Sequence, residues 1–506
     1  MNTVDSREAK MAIHWLPLTL DYSYMKDAVK RAKQLNVDAF HLSHRLVHDA
    51  NDVIDDADRR RMVQQIVRLI KDNGLECWCW THEIQQPPAE MVRNGFFDID
   101  NKGLKSHLMN KYSLLREYIP SLDGIVLTFA ETQYEVYKDK NVITEYKNAD
   151  AAEYKTKYLV DMLYGICKSL GWKLAVRDFV YRKAEINAML SAINGIDHGV
   201  IVMSKCVPHD WHPYYPDNPV LGKVGDRQQW IEFDLGHEYE GQTMLPYADP
   251  YLIAKRIRNA FRNNIKAICV RLDRYGGKDG FSAVYQPWSD LEIRIVSHVA
   301  KNINASVEEA IEQWEKEHFH GAWEVVKLST DMVNTFLFPK KLWIANHSNL
   351  PDFYYSRSHL TGGNADRIST WSQDPADLTS EILADKPTRE WYDNLLEGRK
   401  DNEKRFDKLT DIISKSGCKD TKWNRGIKML KMWNDLFWQY HDAYFAIRLH
   451  QNLPVEMSKE EASKKVCKLD ALILKCKDAY PDMKLSGRNV WEQHSRLIDS
   501  LKEQLV

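Results

Sequence analysis

The stretch "QWIEFDLGHEYEGQTMLPYADPYLIAKRIRNAFRNNIKAICVRL", residues 229–272, decides the fold of this chain. It opens with an apolar, β-rich run (229–235), passes through a polar turn, and enters an amphipathic helical pattern over 251–264. A second apolar run follows at 265–272. Parallel strands need a crossover of a dozen or more residues, and that crossover is usually a helix lying on the sheet face. Two strands of the fully buried type, joined through one helix, therefore predict a parallel sheet.

The same alternation extends towards the N-terminus. β-Rich runs stand at "MAIHW" (11–15), "VDAFHLS" (37–43), "LECWCW" (75–80), "DGIVLTF" (123–129), "WKLAVRDF" (172–179) and "HGVIVMS" (198–204), making eight with the two above. Helical patterns such as "YMKDAVKRAKQLN" (24–36) and "DADRRRMVQQIVRLIKDNG" (56–74) separate most of them. Eight such units within 300 residues predict an α/β fold of the (β/α)8 TIM-barrel type over residues 1–300. No Gly-rich GxGxxG turn follows the first run, which argues against a dinucleotide fold and its cofactor. Beyond residue 290 the strand signal stops. "SVEEAIEQWEKEHF" opens with Ser306 and Glu309 in capping-box spacing, and Ser458 and Glu461 repeat it. Helical patterns over 386–417, 421–451, 458–479 and 487–505 predict an α-helical C-terminal domain, residues 301–506. Between them, 347–373 reads as a polar, aromatic loop placed to reach another surface.

Composition narrows the function. A net charge of −2 over 506 residues provides no footprint for nucleic acid or an anionic membrane. No apolar run approaches the roughly 20 residues of a membrane span. The N-terminal "MNTVDSREAKMAIHW" lacks an apolar signal core, so a cytoplasmic or periplasmic location is expected. The eight cysteines follow no disulfide spacing. Cys77 and Cys79 alternate with tryptophans as strand residues do, and are read as reduced, buried thiols and not as a metal clip.

In TIM barrels the chemistry sits where strands end. The fourth run ends in "TFAETQ", with Glu131; the fifth brings Arg177 and Asp178. The sixth leads to Lys205, His209, Asp210, Trp211 and His212; the seventh to His237, Glu238, Tyr239 and Glu240; the eighth to Arg271, Asp273 and Arg274. Glu131, Asp210 and Glu238 suit general acid and base work on a glycosidic bond, which needs one carboxyl protonated and another ionised. Trp211, His212, His237 and Tyr239 offer flat faces and directed polar edges for a sugar, and Arg177 and Lys205 offer counter-charges for an anionic group on it. Each residue also has a plainer reading. Glu131 suits a helix N-terminus, Arg177 suits an ion pair, and Asp210 and Glu238 suit solvated loops. His41, His44 and His48 in "HLSHRLVH" have mixed spacing and are read as hydrogen-bonding groups of the mouth, not as metal ligands.

Over these residues the chain resembles the catalytic barrel of the family 67 α-glucuronidases. "RDFVY" (177–181) is similar to the family's Arg-Ala-Phe-Val-Tyr segment. Lys205 and Asp210 keep its Lys, four residues, Asp spacing, and "EFDLGHEYEG" (232–241) is similar to its Glu-Phe-Gln-x-x-Gln-Glu-Tyr-x-Gly strand end. "YQPWSDLEIRIVSHVAKNINASVEEAIEQW" (285–314) follows the family more loosely. The resemblance implies an exo-acting, inverting hydrolase that releases an α-linked uronic acid from oligosaccharides without a cofactor. Glu131 would be the general acid, Asp210 and Glu238 the base pair, and Arg177 and Lys205 the carboxylate-binding cations. It also implies a helical region able to carry a homodimer interface. The chain departs from the family at Leu127, where a Lys stands four residues before the acid, and in beginning close to the first barrel strand. Leu127 keeps open a different sugar, such as a neutral hexose or a sialic acid. A metal-dependent sugar isomerase and a non-catalytic sugar-binding protein are the readings of other classes.

Overall fold

The computed structural model describes residues 10–19, 21–137, 141–146, 151–178, 182–273, 282–361, 367–485 and 487–506. Eight strands lie on the eight predicted runs: β1 Ala12–Leu16, β2 Ala39–Leu42, β3 Glu76–His82, β4 Gly124–Thr128, β5 Lys173–Arg177, β6 Ile201–Lys205, β7 Gln229–Asp234 and β8 Ala267–Arg271. They form a closed barrel in chain order, with β8 pairing in parallel to β1. Alternate side chains point inward and outward. Leu127, Val176, Val202, Ile231 and Val270 belong to the main apolar core, whereas Trp78, Trp80, Val126, Ala175, Met203 and Trp230 form a separate cluster filling the barrel. Leu127 is thus fully buried on the helix side of its strand, where a lysine would lose its hydration.

Gly124 is the residue that lets the barrel close around its tryptophans. A Cβ there would stand 2.3 Å from the Trp78 ring. The Trp78 ring in turn meets Trp230 edge-on at 4.8 Å, a favourable aromatic geometry.

Helices α1 Tyr22–Gln34, α2 Ala57–Asp72, α3 Leu104–Tyr118, α4 Ala151–Ser169, α5 Lys183–Asn194, α6 Pro250–Arg262 and α7 Pro287–Lys301 cover the barrel. The α6 start is dictated locally: Asp249 accepts from the Leu252 N–H, and Pro250 takes the first turn, where its missing N–H costs nothing. Ile253, Ala254, Ile257 and Ala260 then form the buried stripe. The crossover from β6 to β7, residues 206–228, contains no helix. Pro208, Pro213, Pro216 and Pro219 break up its first half, residues 206–219. Asn218 holds this loop in place, its side-chain amide donating to the Lys205 carbonyl at 3.0 Å. A small sheet of Val92–Arg93, Phe96–Asp98 and Val142–Ile143 was not legible in the sequence.

Among the described residues the rest is mainly helical, with two-residue strands at Lys484–Leu485 and Arg488–Asn489 and a four-residue helix at Ile368–Trp371; the longer helices are α8 Val307–Lys316, α9 Ala322–Leu337, α10 Phe353–Thr361, α11 Pro375–Asp385, α12 Arg389–Ser416, α13 Thr421–Asn452, α14 Lys459–Ala479 and α15 His494–Glu503. Ser306 and Ser458 cap α8 and α14 as their spacing predicts. Helix α13 is buried on nearly every side through its centre, including Phe437, Trp438, Tyr440 and Tyr444, the mark of a helix inside its domain. Among the described residues no helix is long and apolar enough to cross a membrane. All eight cysteines are free thiols, Cys77 and Cys79 buried in β3.

Candidate active site

The barrel register assembles the charged mouth. Arg271 stands beside Asp234, Glu232 beside Lys205, and Arg177 beside Thr128, which in turn pairs with His82. All lie at the C-terminal ends of their strands, on the inward side above Trp80 and Met203. Glu232, within an apolar run, is fully buried and receives Arg177 bidentately, at 2.6 Å to Nε and 3.0 Å to Nη2. Arg271 lies 3.8 Å from Glu232 and 3.7 Å from Glu238. Lys205 Nζ donates to Asp210 at 2.5 Å, and the Tyr239 hydroxyl donates to the other Asp210 oxygen at 2.7 Å. Burial opposes charge on Asp210, but the Lys205 ammonium, His209 and these two hydrogen bonds hold its carboxyl well below the usual range. The same burial lowers the Lys205 pKa against the pull of Asp210.

Aromatic rings wall the site. Lys205 Nζ lies 4.6 Å and the Arg271 guanidinium 5.7 Å from the Trp211 ring, within cation–π range. Trp343, from the segment after α9, meets Tyr239 edge-on at 4.7 Å and stacks on His212 at 5.0 Å. The next turn brings His347 Nε2 to 3.4 Å from Glu238 Oε1 and its ring over Tyr239. The start of the 347–373 segment therefore reaches the barrel mouth, but the segment is not the loop its polar sequence predicts: it holds the helices Phe353–Thr361 and Ile368–Trp371, and residues 362–366 lie outside the described residues. Trp211 Nε1 and Thr128 Oγ1 are buried here without a hydrogen-bond partner among the described residues.

Of the residues singled out in the sequence, Arg177, Lys205, Asp210, Trp211, Glu238 and Tyr239 come together in this cluster. His212 is buried within the aromatic stack beside it. His237 turns away from the cluster. Its Nε2 meets Glu292 of α7 at 2.6 Å and its Nδ1 lies 3.7 Å from Glu240. Burial alone would lower its pKa, but the two carboxylates raise it to about 10, so this imidazolium pins the loop after β7 to the helix layer. Glu131 stands exposed on the loop after β4 in a left-handed backbone conformation, its N–H directed at Glu135. Asp178 faces outward and accepts from Ser204, and burial raises its pKa to about 7. Asp273 accepts from Tyr24 and the Ala283 N–H. Arg274 and residues 179–181 of the "RDFVY" segment lie outside the described residues.

Sequence reasoning missed Glu232, Trp343 and His347. Only the acidic residue inside an otherwise apolar strand was a readable signal.

His41, His44 and His48 do not converge. His48 stacks on His82, while His41 sits inside the barrel near His14 and Cys269. The ligand atoms of these last three lie within 4.8 Å of one another, close enough to approach one metal ion. The Trp80 indole N–H donates to His41 Nδ1 at 3.3 Å, which leaves the proton on His41 Nε2 to donate to His14 Nδ1 at 3.1 Å. An indole cannot reverse that direction. Burial, reinforced by Lys173, keeps His14 neutral with a pKa of about 3. The set fits a directed hydrogen-bond chain and does not fit a metal.

No protein-family profile and no curated protein matches the chain. Among solved structures 229 chains match. A GH138 enzyme targeting pectin rhamnogalacturonan II superposes with a TM-score of 0.57 at 12% identity, over 92% of this chain and 62% of that one. A GH115 4-O-methyl-α-glucuronidase with specificity for decorated arabinogalactans gives 0.49 at 11% identity, over 98% and 62%. The Thermobaculum terrenum O-GlcNAc hydrolase gives 0.46 at 12%, over 99% and 95%. The chain thus spans 62% of the length of the GH138 enzyme. What it shares with that glycoside hydrolase, at this identity, is the fold: a closed parallel (β/α)8 barrel with a helical C-terminal region.

Proposed function

We propose that this chain is a glycoside hydrolase that works at the barrel mouth by inversion and releases an α-linked uronic acid from an oligosaccharide. The observation that carries the reading is that Asp210, held ionised by Lys205 and Tyr239, and Glu238 both act on Arg271, beside the rings of Trp211, Tyr239 and Trp343. A carboxylate held far below its usual pKa is a weak base. Asp210 therefore orients the water and offsets positive charge at the anomeric carbon, while Glu238 takes the water's proton. Glu131, on the exposed β4 loop, protonates the leaving oxygen. Inversion places acid and base about 6.5–9.5 Å apart, with the water between. The unpartnered Trp211 Nε1 and Thr128 Oγ1 are suited to sugar hydroxyls, since a buried polar group without a partner is costly. The family 67 resemblance supports the same reading, and the GH138 likeness in fold supports its coarser part, a glycoside hydrolase.

A second reading, a neutral sugar at the same site, is favoured by one observation. Arg177, Lys205 and Arg271 each already face a protein carboxylate. A uronate would have to compete with Glu232, Asp210 or Glu238 for them.

The test is hydrolysis of glucuronoxylo-oligosaccharides, neutral glycosides and sialyl-oligosaccharides by wild type and Glu131→Gln, with the released anomer followed by NMR. A uronic acid released as the β-anomer, with turnover lowered at least about 100-fold in the variant, is the expected result. Release of a neutral sugar alone selects the second reading. Metal-dependent turnover of free sugars without any hydrolysis overturns both.

A further inference from the structure

The helical region supplies a titratable side chain to the barrel mouth. His347 and Ser348 both have positive φ, 49° and 65°, a conformation that non-glycine residues adopt at a cost and that concentrates at functional sites. The surroundings hold this turn firmly. Ser348 Oγ donates to the Glu238 carbonyl at 2.9 Å and accepts from the Gly241 N–H at 2.8 Å. Gln242 Nε2 donates to the His347 carbonyl, and Trp433 Nε1 of α13 donates to the Ser348 carbonyl, each at 2.8 Å. The backbone of Asn346 pairs with that of Asn349 in both directions.

These restraints fix the ring as well. His347 Nδ1 bonds Asn346 Oδ1, and a carbonyl oxygen can only accept. In the neutral imidazole the proton therefore stays on Nδ1, and Nε2 is a bare acceptor 3.4 Å from Glu238 Oε1. The ring stacks on Tyr239 at 5.2 Å, and 44% of the side chain is exposed. Among the described residues, other charged or titratable groups near this pair include Arg271 of β8 at Glu238 Oε2, Asp234 at the Glu238 N–H, Asp210 at the Tyr239 hydroxyl, and Tyr355 of α10 near Tyr239.

We propose that His347 is the proton relay of Glu238: it accepts at Nε2 the proton that Glu238 takes from the attacking water and passes it to solvent. The step rests on the hydrolase reading above. It converts the Glu238 carboxylic acid and neutral His347 into carboxylate and imidazolium, and the imidazolium then deprotonates to bulk water at its exposed edge. No other reactant is needed, and Glu238 is reset for the next turnover. His347 acts through Glu238 and is a positioning residue in this sense, with a proton-transfer role.

Two experiments test it, and the first does not depend on activity. The His347 Nε2 resonance, followed by nitrogen-15 NMR in the full chain, is expected to move in Glu238→Gln, because the carboxylate facing this atom at 3.4 Å is replaced by an amide. An unmoved resonance overturns the pairing whatever the enzyme hydrolyses. Failure to cleave any glycoside, with a moved resonance, removes the hydrolase reading and leaves the pair standing. The second is turnover by His347→Gln, which keeps polarity but cannot titrate. We expect kcat to fall about 10- to 100-fold, KM to stay within about threefold, and added imidazole to restore part of the lost rate. Unchanged kcat, or a loss that imidazole does not restore in a variant with wild-type melting temperature, overturns the relay.

Discussion

At the residue scale, Asp210 is the group whose environment says most. Lys205, His209, the Trp211 backbone N–H and the Tyr239 hydroxyl all favour its charged form, and Tyr239 is the one that can be removed with the least change of shape. In Tyr239→Phe the hydroxyl that donates to Asp210 Oδ2 is lost while Lys205 remains. A hydrogen bond to a charged group contributes roughly 1.5–3 kcal/mol, and its loss raises the Asp210 pKa. Because that pKa is depressed in the folded chain, its stabilising contribution is present above the ordinary aspartate pKa and is lost as pH falls. The variant should therefore be most destabilised relative to wild type near neutral pH. Melting temperature followed against pH checks this, with the gap between variant and wild type narrowing as pH falls. A gap of equal size in acid and at neutral pH would mean that the Tyr239 hydroxyl does not favour ionised Asp210.

Position at a strand end made Arg177, Lys205, Asp210, Glu238 and Tyr239 legible from sequence alone. Glu232 was not, because its partner Arg177 is 55 residues away and only barrel closure brings them together. His237 shows the opposite limit: its neighbour Glu238 faces the mouth, but the left-handed backbone at His237 sends its ring to Glu292 instead. Periodicity does not carry that turn.

At the scale of elements, the barrel strands were legible because strands buried on both faces read as continuous apolar runs. The small three-stranded sheet was not, since strands of two or three residues are too short to show a period. The helix-free 206–228 crossover was foreshadowed by its prolines. Packing inside the barrel is just as specific as the pattern that builds it. Gly124→Ala places a methyl group 2.3 Å from the Trp78 ring, which the interlocked Trp78–Trp230 pair cannot yield without moving its neighbours. Overpacking of this kind costs about 1–3 kcal/mol. We expect a lower melting temperature by calorimetry, with a far-UV spectrum unchanged below the transition. An unaltered melting temperature would show that the tryptophan layer is looser than its contacts suggest.

At the scale of the molecule, the helical region and the barrel share buried bonds. Trp314 Nε1 of α8 donates to the Pro287 carbonyl of α7 at 2.9 Å, Thr330 of α9 exchanges hydrogen bonds with Ala248, and Trp433 of α13 holds the turn that carries His347. Elements coupled through buried contacts unfold together. Calorimetry should therefore show one main transition, with Trp433→Phe lowering it as a whole. Two separable transitions, only one of them shifted, would mean that the halves are independent.

The tryptophans that fill the barrel also determine traffic. Trp78, Trp80 and Trp230 stop the lumen from below, so it is not a channel from one end to the other. On the proposed reaction, both halves of a cleaved glycoside must then retreat through the entrance used by the next substrate. A vestibule with one door makes departing and arriving sugars rivals. The released monosaccharide should accordingly inhibit competitively, raising KM in steady-state kinetics and leaving kcat untouched.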